Sequence, residues 1–319
     1  MGLFAHLFSH DRDEDNPALH AAIERAVGQV EPMLRQVHGY PSAYRKPVAH
    51  ALRYAHTLAS TLPGPLEINR KAYASDTLVH ALFPSADDID TAFYSSLAVQ
   101  DYFRHNPDAG KICAMMGMRR MEKHILGMEL EGEVMHRDIM QTVVYFSSHT
   151  IEHLAPTEQQ ARESVAWSFF DRLVSKVKAR VEIRKRDLQV QQQEKDLLVS
   201  RLYGASEAER AEMEKQLQAL IGKMQVTASA IDLGHYVEDF EAVLLQPETY
   251  LHLDQVPIVL DSMGIVQEGD RARAQDAVLF NELIGYDRRN WTITMVCGEN
   301  LKPLVQAVDP AQAYRKLVA

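Results

Sequence analysis

The residues with the most obvious chemical potential stand together at 149–153, the stretch HTIEH. Two imidazoles bracketing a carboxylate could hold a transition metal or move a proton, because imidazole is a common metal ligand and titrates near neutral pH. Conformation decides whether the two rings can cooperate. On a helix, residues four apart share a face. On a strand they stand about 13 Å apart, at a rise of roughly 3.3 Å per residue. Both nitrogens cannot then reach one zinc ion at about 2.0 Å. The preceding run QTVVYFSS is β-branched and aromatic and favours a strand. The order also differs from HExxH, in which glutamate follows the first histidine directly. We therefore expect His149 and His153, the only weak metal candidates, to be structural residues at a strand end and no metal to be bound.

Methionine and histidine make a second cluster. Seven of the thirteen methionines fall between Met115 and Met140, together with His124 and His136. Thioether and imidazole suit copper(I), but methionine also fills irregular cores, which is the expectation here. Cys113 and Cys297 are the only cysteines and stand far apart in the chain. They make neither a disulfide framework nor a zinc knuckle and are expected to be buried free thiols in a reducing cytoplasm. The stretch LDSMG at 260–264 matches part of the DxxG of GTPases, but no GxxxxGK[ST] loop accompanies it. GxSxG and a dinucleotide fingerprint are also missing. No catalytic residue and no cofactor are assigned.

Charge supplies a further candidate. Arg172, Lys176, Lys178, Arg180, Arg184, Lys185 and Arg186 form a run of seven basic residues broken by one acid, Glu182. Such a strip could bind nucleic acid or acidic headgroups. The whole chain nevertheless carries a net charge of −10, few aromatics interleave with the strip, and the segment EAERAEMEK can neutralise it. Nucleic acid is not the favoured partner. At the N-terminus, Leu3, Phe4, Leu7 and Phe8 share one helical face, a pattern of peripheral membrane anchors. That face lacks lysine and runs into DRDED, which anionic lipid repels. His6 also stands where a myristoylation signal needs Ser or Thr. Membrane contact through residues 3–8 is not favoured.

The elements that must position these residues follow from periodicity and punctuation. A chain of 319 residues exceeds one ordinary core. No apolar run approaches the ~20 residues of a membrane span, and no secretory pattern opens the sequence, so a cytoplasmic protein is expected. After an amphipathic and acidic segment at 1–15, a helical unit is expected over 16–106. Its first helix is capped by Asn16 and Pro17 and closed at Gly39. Residues 111–156 alternate with period two around Glu131-Gly132, a hairpin signal. Residues 157–202 lack Pro and Gly and carry Phe170, Val174, Val177, Val181 and Leu188 at heptad spacing. Ser206 and Glu209 then read as a capping box restarting a helix, along which Met213, Leu217, Leu220, Met224 and Ile231 form a second seam. Residues 235–299 return to strand character, and helices close the chain over 300–319. The fold class expected is α+β: a helical N-terminal unit and an antiparallel sheet in two halves, 111–156 and 235–299. A long antiparallel, coiled-coil-like helical hairpin at 157–232 is inserted between them.

The function expected from this plan is a non-catalytic cytoplasmic scaffold or adaptor. It acts by protein–protein interaction through the hairpin, with Phe170, Val174, Leu217, Leu220 and Met224 as contact residues and a homo-oligomer as the assembled state. Two alternatives stand beside it. One is a small-ligand sensor or enzyme with a pocket between sheet and helical unit. The other is a nucleic-acid accessory protein using residues 172–186.

Overall fold

The computed structural model describes residues 17–36, 38–131, 134–229, 233–261, 263–267, 277–285 and 291–300. The anchor residues Leu3, Phe4, Leu7 and Phe8, the cap Asn16 and the closing helices at 300–319 lie outside them, except Asn300. Within these residues the chain is a mixture of helix and strand with one curled antiparallel sheet. It divides into two compact units, one within Met1–Thr57 and Trp167–Leu251, the other within Leu58–Ala166 and His252–Ala319.

The first unit is helical. Helix α1 (Pro17–Val30) buries Leu19, Ile23, Val27 and Val30 at spacings of three and four, the stripe of an amphipathic helix. The expected helix through to Gly39 is cut short. Pro32 has no N–H to continue the ladder, and a short 3-10 turn, Pro32–Gln36, takes over. Helix α2 (Ser42–Ser60) contributes buried Tyr44, Val48, Ala51 and Leu52. Helix α7 (Glu158–Leu202) begins in the other unit and here buries Phe169, Phe170, Leu173, Val174, Val177 and Val181. Helix α8 (Glu207–Ser229) follows, and at its start the Ser206 N–H donates to Glu209 Oε2 at 3.1 Å, the backward reach of a capping box. Residues 233–244 are a helix, α9 (Leu233–Leu244), and not the strand expected there. Tyr236, Phe240, Val243 and Leu244 are buried at helical spacing, and packing on that stripe decides the conformation.

The second unit carries the sheet. Short strand β1 (Leu66–Glu67) is followed by α3 (Arg70–Ser75), α4 (Thr77–Leu82), α5 (Ala86–Ile89) and α6 (Leu97–His105). The long strands β2 (Lys111–Glu131) and β3 (Val134–Ala155) flank the expected turn. Strands β4 (His252–Val259), β5 (Ala277–Ile284) and β6 (Trp291–Glu299) come from the far side of the helical segment in sequence. The order β3-β2-β6-β5-β4 makes one sheet of both sequence halves. The sheet curls until Ile265, after β4, bridges back to Val143 of β3, while Val266 bridges to Leu260. There Val144 N–H donates to Gly264 O at 2.9 Å and Val266 N–H to Thr142 O at 2.8 Å. Ile112, Met116, Met118, Phe146, Phe280 and Val296 from strands, with Ile68, Phe83 and Phe93 from the helical segment, form one core cluster. Strand β2 pairs β6 only from Lys111 to Met118, whereas its pairing with β3 continues to Glu131. The outer part of β2 and β3 is therefore a two-stranded ribbon.

The two cysteines overturn an expectation. Cys113 of β2 and Cys297 of β6 are direct register partners with Cα atoms 4.2 Å apart, and they form a disulfide. Sequence distance argued against pairing, but strand register cancels it, because the partners are brought opposite each other by the sheet.

Candidate functional site

His149 and His153 both lie in β3. His149 stacks on Phe83 with ring centroids 5.1 Å apart, and its Nε2 lies 3.1 Å from Leu82 O. Burial pushes its pKa below the ordinary imidazole value, against the smaller opposing pull of the Leu82 carbonyl. His153 Nδ1 lies 3.0 Å from Ser164 Oγ, and burial lowers its pKa too. Among the described residues no group of three His, Cys, Asp or Glu side chains could hold a metal ion. The methionine cluster splits. Met115, Met116 and Met118 are core residues, whereas Met128, Met135 and Met140 are exposed on the ribbon together with Leu126.

The basic strip is partly consumed inside its own unit. Asp239 of α9, only 1% exposed, accepts from Arg180 Nε at 3.1 Å and from Arg184 Nη2 at 3.0 Å. Lys185 Nζ donates to Glu31 at 2.7 Å, and that hydrogen bond holds the Glu31 carboxyl below its usual range. Lys176 is half-buried, and desolvation lowers its pKa, helped by neighbouring Arg172. Lys178 and Arg186 are exposed. Sequence reading missed Asp239 because its signal is tertiary: one acid on a helix expected to be strand.

The helical contact candidates separate in the same way. Phe170 and Val174, expected as contact residues, are fully buried within the chain. Leu220 is buried, and Leu217 and Met224 are half-buried. Leu188 and Lys195 of α7 and Ile221 and Met224 of α8 line one open groove. Beyond the buried part of α7, Ile183, Val190 and Leu197 are exposed by 56%, 54% and 58% and recur every seven residues.

The second unit contains a cavity of about 630 Å³. One side comes from the α3–α4 corner, the other from β3, β5 and the turn after β4. Asp76 caps α4, its Oδ1 accepting from Leu78 N at 2.8 Å and Val79 N at 3.1 Å. Asp261 shapes the turn after β4, its Oδ1 accepting from Met263 N at 2.8 Å and Ile265 N at 2.9 Å. Gly264 completes that turn at φ +77, and a Cβ there would stand 2.8 Å from Val144 O. Tyr73 and His80 pack ring on ring, 4.6 Å apart, at the helical side.

No protein-family model, no curated protein and no solved structure matches this chain. What the site can do is therefore read from its own chemistry. It offers an apolar helical surface in one unit and an acidic, aromatic cavity in the other.

Proposed function

We propose that the protein is a non-catalytic scaffold that associates with a second copy of itself through α7 and α8. In this reading the two helices form an antiparallel, coiled-coil-like hairpin inserted between the two halves of the sheet. The observation that carries it is the exposed trio Ile183, Val190 and Leu197, one heptad apart on α7. Aliphatic side chains one heptad apart fall close to one helix face, and water is a poor neighbour for them. The ion pairs of Arg180, Arg184 and Lys185 with Asp239 and Glu31 weigh against the nucleic-acid reading, since they occupy three of the seven cations the strip would need. A cytoplasmic setting belongs to the proposal; no described helix is long and apolar enough to cross a membrane. The Cys113–Cys297 bond weighs against it.

The test is light scattering on the full chain and on the triple variant Ile183→Gln, Val190→Gln, Leu197→Gln. These are exposed helix positions, so the fold survives the change. The unmodified chain should scatter as two or more copies, and the variant as one copy of 36.1 kDa. An unmodified chain that stays at one copy at high micromolar concentration refutes the proposal.

A further inference from the structure

We propose that the cavity of the second unit is a binding site for a small organic cation, an amine or guanidine carrying a flat apolar body. Its volume of about 630 Å³ falls within the roughly 300–1,000 Å³ of small-ligand sites. Two carboxylates from separate elements line it, Asp76 at the helical corner and Asp261 at the turn after β4. No lysine or arginine is among the described residues that line it. Each carboxylate is fixed by backbone N–H groups through one oxygen. The other oxygen is left for a ligand. Asp76 Oδ2 accepts no hydrogen bond among the described residues, and Asp261 Oδ2 has only Gln267 Nε2, at 3.5 Å. That distance is too long for a good hydrogen bond. Neither acid has an ion-pair partner among the described residues.

The rest of the lining suits the body of such a ligand. Tyr73 and Tyr145 present aromatic surface, and Leu260, Met263 and Val278 present aliphatic and thioether surface. Aromatic faces attract cations through the ring quadrupole. Among the described lining residues an anion would meet two carboxylates and no lysine or arginine, with His80 the only imidazole, so charge favours a cation. The cavity depends on the closure of the sheet, because the turn that carries Asp261 is the one that bridges to β3. It is independent of α8 and of the association proposed above.

The test uses a matched ligand series on the full chain: tryptamine as cation, 3-methylindole as neutral analogue and indole-3-acetate as anion, followed by calorimetry. Tryptamine should saturate one site per chain and bind at least tenfold more tightly than either analogue. Asp76→Asn and Asp261→Asn keep the oxygen that accepts from the backbone, and each should weaken tryptamine at least fivefold while leaving 3-methylindole unchanged. The series on the unmodified chain decides the matter even if a variant misfolds. Indole-3-acetate binding as tightly as tryptamine overturns the proposal. So does absence of tryptamine binding at millimolar concentration, or wild-type affinity in the folded double variant.

Discussion

Removing the charge of Asp239 should loosen the helical unit by an amount the geometry lets us bound. Its Oδ1 accepts from Arg180 and Arg184 at 3.1 and 3.0 Å, and the residue is 1% exposed. Breaking a fully buried ion pair by deleting one partner costs about 3–5 kcal/mol. Here the two guanidinium side chains are 44% and 29% exposed, so both can turn to water after the change. Asp239→Asn also keeps a carbonyl oxygen for one of the N–H groups. The expected loss is therefore about 2 kcal/mol, below the buried-pair range. With a urea slope of roughly 2 kcal/mol per molar, the midpoint should fall by about 1 M. The chain has two tryptophans, so a Trp291→Phe background leaves Trp167 as a reporter of this unit alone. Arg180→Met should cost less than Asp239→Asn, because Arg184 still holds the carboxylate. A midpoint that stays or rises in Asp239→Asn would refute the reasoning and mean that desolvating the acid costs as much as its pairing returns.

Arg162 ties the end of α2 and the loop after it, donating from Nη1 to Ala59 O at 2.7 Å and Leu62 O at 3.0 Å and from Nη2 to Gly64 O at 3.2 Å. Arg162→Ala should cost about 2–3 kcal/mol in thermal or urea unfolding, and Arg162→Lys should restore little, because an ammonium lacks the planar fork. Gly264→Ala combines an unfavourable φ with a Cβ against Val144 O. It should destabilise the sheet by about 2–4 kcal/mol and raise hydrogen exchange at Val144 and Val266 before the rest of the sheet. His149 and His153 have pKa values lowered by burial. The unfolded chain therefore binds protons first as the pH falls, and stability should decline from about pH 6.5 downward until the lowered folded values are passed. The double variant His149→Gln, His153→Gln should flatten that decline in urea titrations at stepped pH.

Local chemistry made part of this molecule readable in advance. A run free of Pro and Gly with strong helix formers became the 45 residues of α7. The capping box at Ser206 and Glu209 and the strands on either side of Glu131-Gly132 also carried local signals. Long-range partners were not readable. Nothing beside Asp239 in sequence announces Arg180 and Arg184, and nothing near Cys113 announces Cys297. Residues 236–244 show how a local signal can mislead. Tyr, Val, Phe and Leu in short succession suit a strand, and only burial at spacings of three and four, set by packing, makes them helix. The cavity was legible only as an expected gap between sheet and helices. Its two acids come from a cap and a turn, both of which read as ordinary punctuation.

The Cys113–Cys297 bond turns most of the chain into a covalent ring, with the segments before Cys113 and after Cys297 as tails. Helices α7, α8 and α9 and strands β3, β4 and β5 all lie on that ring. A single peptide cut anywhere along it linearises the ring without releasing a fragment. The inserted helices could be nicked and the two ends would still be held at the same pair of neighbouring strands. Only reduction together with a cut would let the pieces part. The sulfur bridge thus keeps β2 and β6 covalently joined whether or not the helical segment between them in sequence is continuous.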